Sequence, residues 1–257
     1  MKKKLFLGPI IKVKRANEQI GNIASILQES FSGDRYAAFC DVDPQIKNRF
    51  LKVKLVKPLP EDLPLLVAEL IYHLRSALDQ MTVELARSNG ADSKGVYFPF
   101  AGDFKEFIAT GTQRKIQSLS PSDIEAICNL QPYKGGNDLL WALGKISNID
   151  KHIDLIPVGS IARGMTISNA TFVAGEEGIT LGDETRGRLD DGIVILSVGT
   201  GGSIDFKLNT QINITADVIF GEVEFFKNWS LVPTLHQLTQ LVGDIIRTIG
   251  ISHGVYL

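Results

Sequence analysis

The sequence predicts an α+β protein: a helical bundle with an N-terminal β-hairpin and an antiparallel β-sheet inserted before the C-terminal helix. Three observations carry this. Apolar residues recur at three- and four-residue spacing over 12–31, 65–88, 120–149 and 230–249. Residues 153–226 are instead rich in β-branched residues and broken by glycines. Helical spacing then returns, and that last helix needs the bundle to cover its apolar stripe. Residues 1–257 are therefore expected to form one α+β unit. Its parts are a mostly helical segment (12–152, with the hairpin at 35–57), a β segment (153–226) and the closing helix (230–249).

The first helix is read from Val13, Ala16, Ile20, Ile23, Ala24 and Leu27, and Gly33-Asp34 stops it. Arg35–Val42 and Arg49–Lys57 read as an antiparallel pair around Asp43-Pro44; the second strand slips phase once, as a bulge would. Pro64 opens the longest helix, where a first turn tolerates it. Val67, Leu70, Ile71, Leu74, Leu78, Met81 and Leu85 share one arc of that helix, and Asn89-Gly90 ends it. A short helix is expected near Asp103–Thr110. Ser120 is the N-cap of the next, with Pro121 in its first position and Asp123 at its positive end. Gln131-Pro132-Tyr133 breaks that helix, and Asn137 caps another that runs to about Ile149.

In the β segment, strands are predicted at 154–161, 165–173, 192–198, 203–208 and 211–220, with 199–202 as a hairpin turn. The closing helix takes its stripe from Leu231, Leu235, Leu238, Leu241, Val242, Ile245 and Ile246.

Lys plus Arg is 27 and Asp plus Glu is 29, so the chain carries a net charge of −2 and no global basic field that would drive non-specific nucleic-acid binding. Cys40 and Cys128 form no ligand-spaced pair and read as buried free thiols, which suits a reducing compartment. No apolar run approaches the roughly 20 residues a membrane span needs. The expected setting is the cytoplasm. P-loop, dinucleotide-binding and nucleophile-elbow motifs do not occur.

Two polar clusters could carry chemistry. In Tyr72–Gln80, Arg75 and Asp79 share one helix flank at i, i+4 spacing, where they can pair, while His73, Gln80 and Glu84 take the other flank. In Ser147–His152, Asn148, Asp150, Lys151 and His152 crowd one helix end. They could cap the helix, or Asp150 could orient His152 while Lys151 or Arg75 binds an anion. Trp141 reads as core. A metal site built from His73, Asp79, Asp150 and His152 is conceivable, but no spacing demands one, and neither a metal nor a cofactor is expected.

The phrases YHLRSALDQMTVELA, LQPYKGG and LWALGKISNIDKH resemble a widespread group of uncharacterised bacterial proteins, which pairs an LRSALDH-type helix with an SNxDKHR-type helix end. The group has no agreed activity. Arg75 with its polar neighbour Ser76 also resembles, more weakly, the catalytic motif of HEPN ribonucleases, helical bundles that often act as dimers. In that motif a His follows the Arg by five positions, and here Gln80 stands there; its amide cannot move a proton near neutral pH. The group's arginine after DKH is likewise replaced, by Ile153.

The sequence therefore predicts a non-enzymatic binding module for an anionic ligand or protein partner, with Arg75, Asp79 and His152 at its centre and His73, Asn148, Asp150 and Lys151 lining it. The alternatives are a HEPN-like, metal-independent ribonuclease or RNA-binding protein, possible as a homodimer, and more distantly a metal-dependent hydrolase.

Overall fold

A computed structural model describes residues 5–31, 36–45, 47–56, 58–152, 158–176, 178–181, 193–220, 225–226 and 229–255. In chain order the elements are α1 (Leu7–Phe31), β1 (Tyr36–Val42), β2 (Arg49–Leu55), α2 (Leu63–Ser88), α3 (Phe104–Ile108), α4 (Thr110–Gln113), α5 (Pro121–Asn129), α6 (Asp138–His152), β3 (Val158–Val173), β4 (Ile179–Leu181), β5 (Ile193–Val198), β6 (Ser203–Phe220) and α7 (Leu231–Ser252). The class is α+β, with α1 and α7 at the two ends and α2–α6 between the β1-β2 hairpin and the later strands.

The bundle is built on α2. Its seven predicted apolar positions are all fully buried, against α1, α6 and α7. α1 starts at Leu7, five residues before its expected start. Pro9 sits in its first turn, where a missing N–H costs nothing. Beyond that, Phe6 is fully buried and donates its N–H to the buried Glu84 carboxylate of α2 at 2.5 Å. An acid 78 residues away in sequence thus serves the positive end of α1. α5 is capped as read: Ser120 Oγ accepts from the Asp123 N–H at 3.2 Å. Asn137 Oδ1 likewise accepts from Leu140 N–H at 3.0 Å and starts α6.

The β elements form two sheets. β1-β2-β5-β4 is a four-stranded antiparallel sheet, and β3 pairs with β6 in a long antiparallel ribbon. The N-terminal hairpin is therefore no separate feature, because β2 pairs with β5 from the later block. Its phase slip is a register shift between Leu51 and Lys52 against β5. The gap predicted between 161 and 165 is a bulge within β3, where the register shifts between Ala162 and Gly164. The gap predicted at 209–210 falls at the second shift, and β6 runs through it. Nor is 199–202 a hairpin turn: β5 and β6, which it joins, belong to different sheets. The far end of the ribbon enters the bundle, where Val218, Phe220 and Phe226 join the helical core.

The two thiols differ from expectation. Cys40 lies exposed on β1 and Cys128 is half-buried on α5. Burial nonetheless pushes both thiol pKa values up. Among the described residues no helix is long and apolar enough to cross a membrane.

Candidate functional site

α2 and α6 pack together with Arg75 at their seam. Arg75 and Asp79 are one turn apart, and Nε lies 3.4 Å from Oδ2. The pair is largely buried, with side-chain exposures of 16% and 24%. Arg75 Nη1 donates to Ser147 Oγ of α6 at 3.2 Å, and Ser147 Oγ donates on to Gly144 O at 2.9 Å. The guanidinium carbon also lies over the Phe100 ring, 4.2 Å from its centroid. Asp79 Oδ1 meanwhile accepts the Phe98 N–H at 2.9 Å. One ion pair thus ties α2, α6 and the 98–100 segment together. The two motif-bearing stretches meet through Ser147.

The 98–100 segment fits closely because α6 has a glycine beneath it. A Cβ on Gly144 would stand 2.6 Å from Phe100 Cδ1, so Phe100 needs that bare backbone to lie against α6.

Further cations gather here. Lys115 Nζ reaches Phe100 O at 3.4 Å; burial, then the charge of Arg75, lower its pKa against the opposing pull of Glu106 and Asp79. Lys134 Nζ and Lys145 Nζ lie 5.1 and 6.0 Å from the Trp141 ring centroid. Trp141 is only 5% exposed, and its indole Nε1 is buried with no hydrogen-bond partner among the described residues. Leaving such a donor unpaired costs about 1–3 kcal/mol. Beside it is a cavity of about 90 Å³ lined by Phe100, Gly102, Glu106, Trp141, Lys145 and Asn148, among others. Glu106 is engaged by the Gly102 N–H at 2.6 Å.

The predicted residues divide as follows. Arg75 and Asp79 lie together at the seam, and exposed Asn148 lines the cavity. The side chains of residues 149–152 lie outside the described part, so Asp150, Lys151 and His152 are placed only by the backbone of α6. Gln80 turns away from Arg75 toward the start of α1: its Oε1 lies 2.9 Å from where a Cβ on Gly8 would sit. Among the described residues no three His, Cys, Asp or Glu side chains gather to share a metal ion. Sequence reading missed Lys115, Lys134, Lys145 and Phe100. Only one had a local signal: Lys145 follows Trp141 by four positions on one helix, which brings the ammonium to the ring.

No family model, curated protein or solved structure matches this chain.

His73 faces α1 rather than the seam. Burial, then Lys12 and Arg15, depress its pKa below the ordinary value, with Glu69 pulling the other way. The folded state therefore keeps this imidazole neutral where the unfolded chain protonates it. Below the usual value of about 6.5 the unfolded chain binds the extra proton, so stability falls as pH drops through that point. Denaturant titrations at pH 7.5 and 5.5 should show a smaller acid loss in His73→Gln than in the parent. Equal losses would remove His73 from the acid response.

Proposed function

We propose that the chain is a non-enzymatic binding module whose ligand is a small anion, held beside Trp141 at the α2–α6 seam. The observation that carries this reading is the gathering of Arg75 and Lys115 at Phe100 and of Lys145 at Trp141, two rings that line one cavity, together with a buried indole N–H that has no partner among the described residues. Arg75, Lys115 and Lys145 bring three positive charges, against the negative charges of Asp79 and Glu106 among the described residues. The chain as a whole is net negative, at −2, so this excess is local. An oxyanion would accept from the indole N–H and from Lys145, and charge-assisted bonds of this kind are roughly twice as strong as neutral ones. Asn148 adds an amide at the rim.

The division of labour follows from the geometry. Arg75 already donates to Asp79 and Ser147 and lies over Phe100, so it holds the Phe100 side of the cavity in place. Lys145 and Trp141 face the cavity and meet the ligand. At the position five residues after Arg75, where the HEPN-like motif has its His, Gln80 cannot move a proton near neutral pH, which favours binding over cleavage.

Calorimetric titration with inorganic phosphate and with sulfate tests the reading. Binding is expected in the parent, weakened at least about tenfold in Lys145→Gln and in Trp141→Phe, which keeps an aromatic ring but removes the N–H. Parent and Lys145→Gln should both leave mixed RNA intact, with or without EDTA. Unchanged affinity in both variants, or EDTA-resistant RNA cleavage by the parent, would overturn the proposal, and cleavage would turn the assignment to the HEPN-like alternative.

A further inference from the structure

We propose a second ligand site in the cleft between α1 and α2, built for a free α-amino acid in its zwitterionic form. The cleft is about 410 Å³ and is lined by Arg15 and Gln19 from α1 and by Leu65, Ala68, Glu69, Tyr72 and His73 from α2. That volume lies within the roughly 300–1,000 Å³ of small-molecule sites.

Two polar atoms there have no partner among the described residues. Gln19 is 5% exposed, and its Oε1 is buried and unbonded. Its Nε2 donates to Glu69 Oε2 at 3.1 Å, which fixes the amide orientation and leaves the oxygen as the idle acceptor. His73 Nδ1 is buried and unbonded as well. Buried polar atoms are nearly always satisfied, so Gln19 Oε1 points to an absent donor, and His73 Nδ1 accepts from it in the neutral tautomer that carries its proton on Nε2.

The donor must serve several acceptors at once. Gln19 Oε1, the Glu69 carboxylate and the His73 nitrogen together suit an ammonium group, which has three N–H bonds and a positive charge. Arg15 lines the cleft and pairs with Glu18 at 3.5 Å, and Lys12 lies at its edge, its ammonium 5.6 Å from the ring centroid of the lining Tyr72. Lys12, Arg15, Glu18 and Glu69 sum to zero charge. A site of balanced sign that holds both acceptors and cations matches a molecule carrying both an ammonium and a carboxylate. Leu65 and Ala68 offer an apolar wall to its side chain. A simple anion would leave the orphan acceptors unpaired, and a simple amine would meet the cations unanswered.

The test uses the full chain. The twenty common L-amino acids are screened singly for thermal stabilisation, and the best is titrated by calorimetry beside its amide and its des-amino acid. The amino acid is expected to bind, and each half-ligand to bind at least about tenfold more weakly. Gln19→Met should weaken binding by about tenfold or more. Should that buried replacement fail to fold, Arg15→Gln, on an exposed side chain, should weaken the amino acid but not its amide. Lys145→Gln, at the seam, should leave amino-acid affinity unchanged. No stabilisation by any amino acid, equal affinity for the amide, or an Arg15→Gln variant that loses both equally would overturn the proposal.

Discussion

Replacing Arg75 with methionine should lower folding stability by about 3 kcal/mol, as read by chemical denaturation. Methionine keeps the length of the stem but loses every polar contact of the guanidinium. Asp79 then remains largely buried, keeping the Phe98 N–H bond but losing the counter-charge at 3.4 Å. Ser147 loses the donor that joins α6 to α2. An exposed i, i+4 pair contributes only about 0.3–0.5 kcal/mol, so the predicted loss separates a buried clamp from a surface ion pair. Asp79→Asn should cost less, because an amide oxygen can still accept the Phe98 N–H. A loss under about 1 kcal/mol for Arg75→Met would mean that the seam is held by apolar packing alone.

The second large effect is expected at Gly175, between the ribbon and the four-stranded sheet. A Cβ there would stand 2.0 Å from Gly199 O and 2.5 Å from Thr200 O. Those neighbours are backbone, so no side chain can swing aside. The turn through 199–202 would have to move, together with the Glu176 N–H bond to Thr200 O at 2.9 Å. Gly175→Ala should cost about 2–3 kcal/mol, the upper range of overpacking. Gly111→Ala, whose added Cβ meets nothing within 4 Å, is the matched control and should change stability by under about 0.5 kcal/mol. Similar stabilities for the two variants would show that the turn yields freely.

These two sites also mark how far the sequence could be read. Helical periodicity identified the buried face of α2 correctly because burial at every third or fourth residue is written locally. Ser120 and Asn137 were legible as caps for the same reason. The start of α1 was not, because the Phe6 N–H that opens it is held by Glu84, 78 residues along the chain. The pairing of β2 with β5 has no local signature either, since strand partners are chosen by the fold and not by neighbours in sequence. At the seam, Arg75–Asp79 could be read from i, i+4 spacing, but its burial, the Phe98 and Phe100 contacts and the bond to Ser147 could not. Those contacts span from 19 to 72 residues. They turn a pair that would be a minor surface feature on an isolated helix into the fastening of three segments.

In the proposed function, Arg75 holds the seam while Lys145 and Trp141 receive the ligand. Chemical denaturation of the parent, Arg75→Met and Lys145→Gln, each with and without inorganic phosphate, tests it most directly. A ligand that binds only the folded state at a hundred times its Kd adds about 2.7 kcal/mol. Without phosphate, Arg75→Met should be the unstable variant and Lys145→Gln should match the parent. With phosphate, the parent should gain stability and Lys145→Gln should gain little. A Lys145→Gln variant that gains as much as the parent, or an Arg75→Met variant as stable as the parent, would contradict the account.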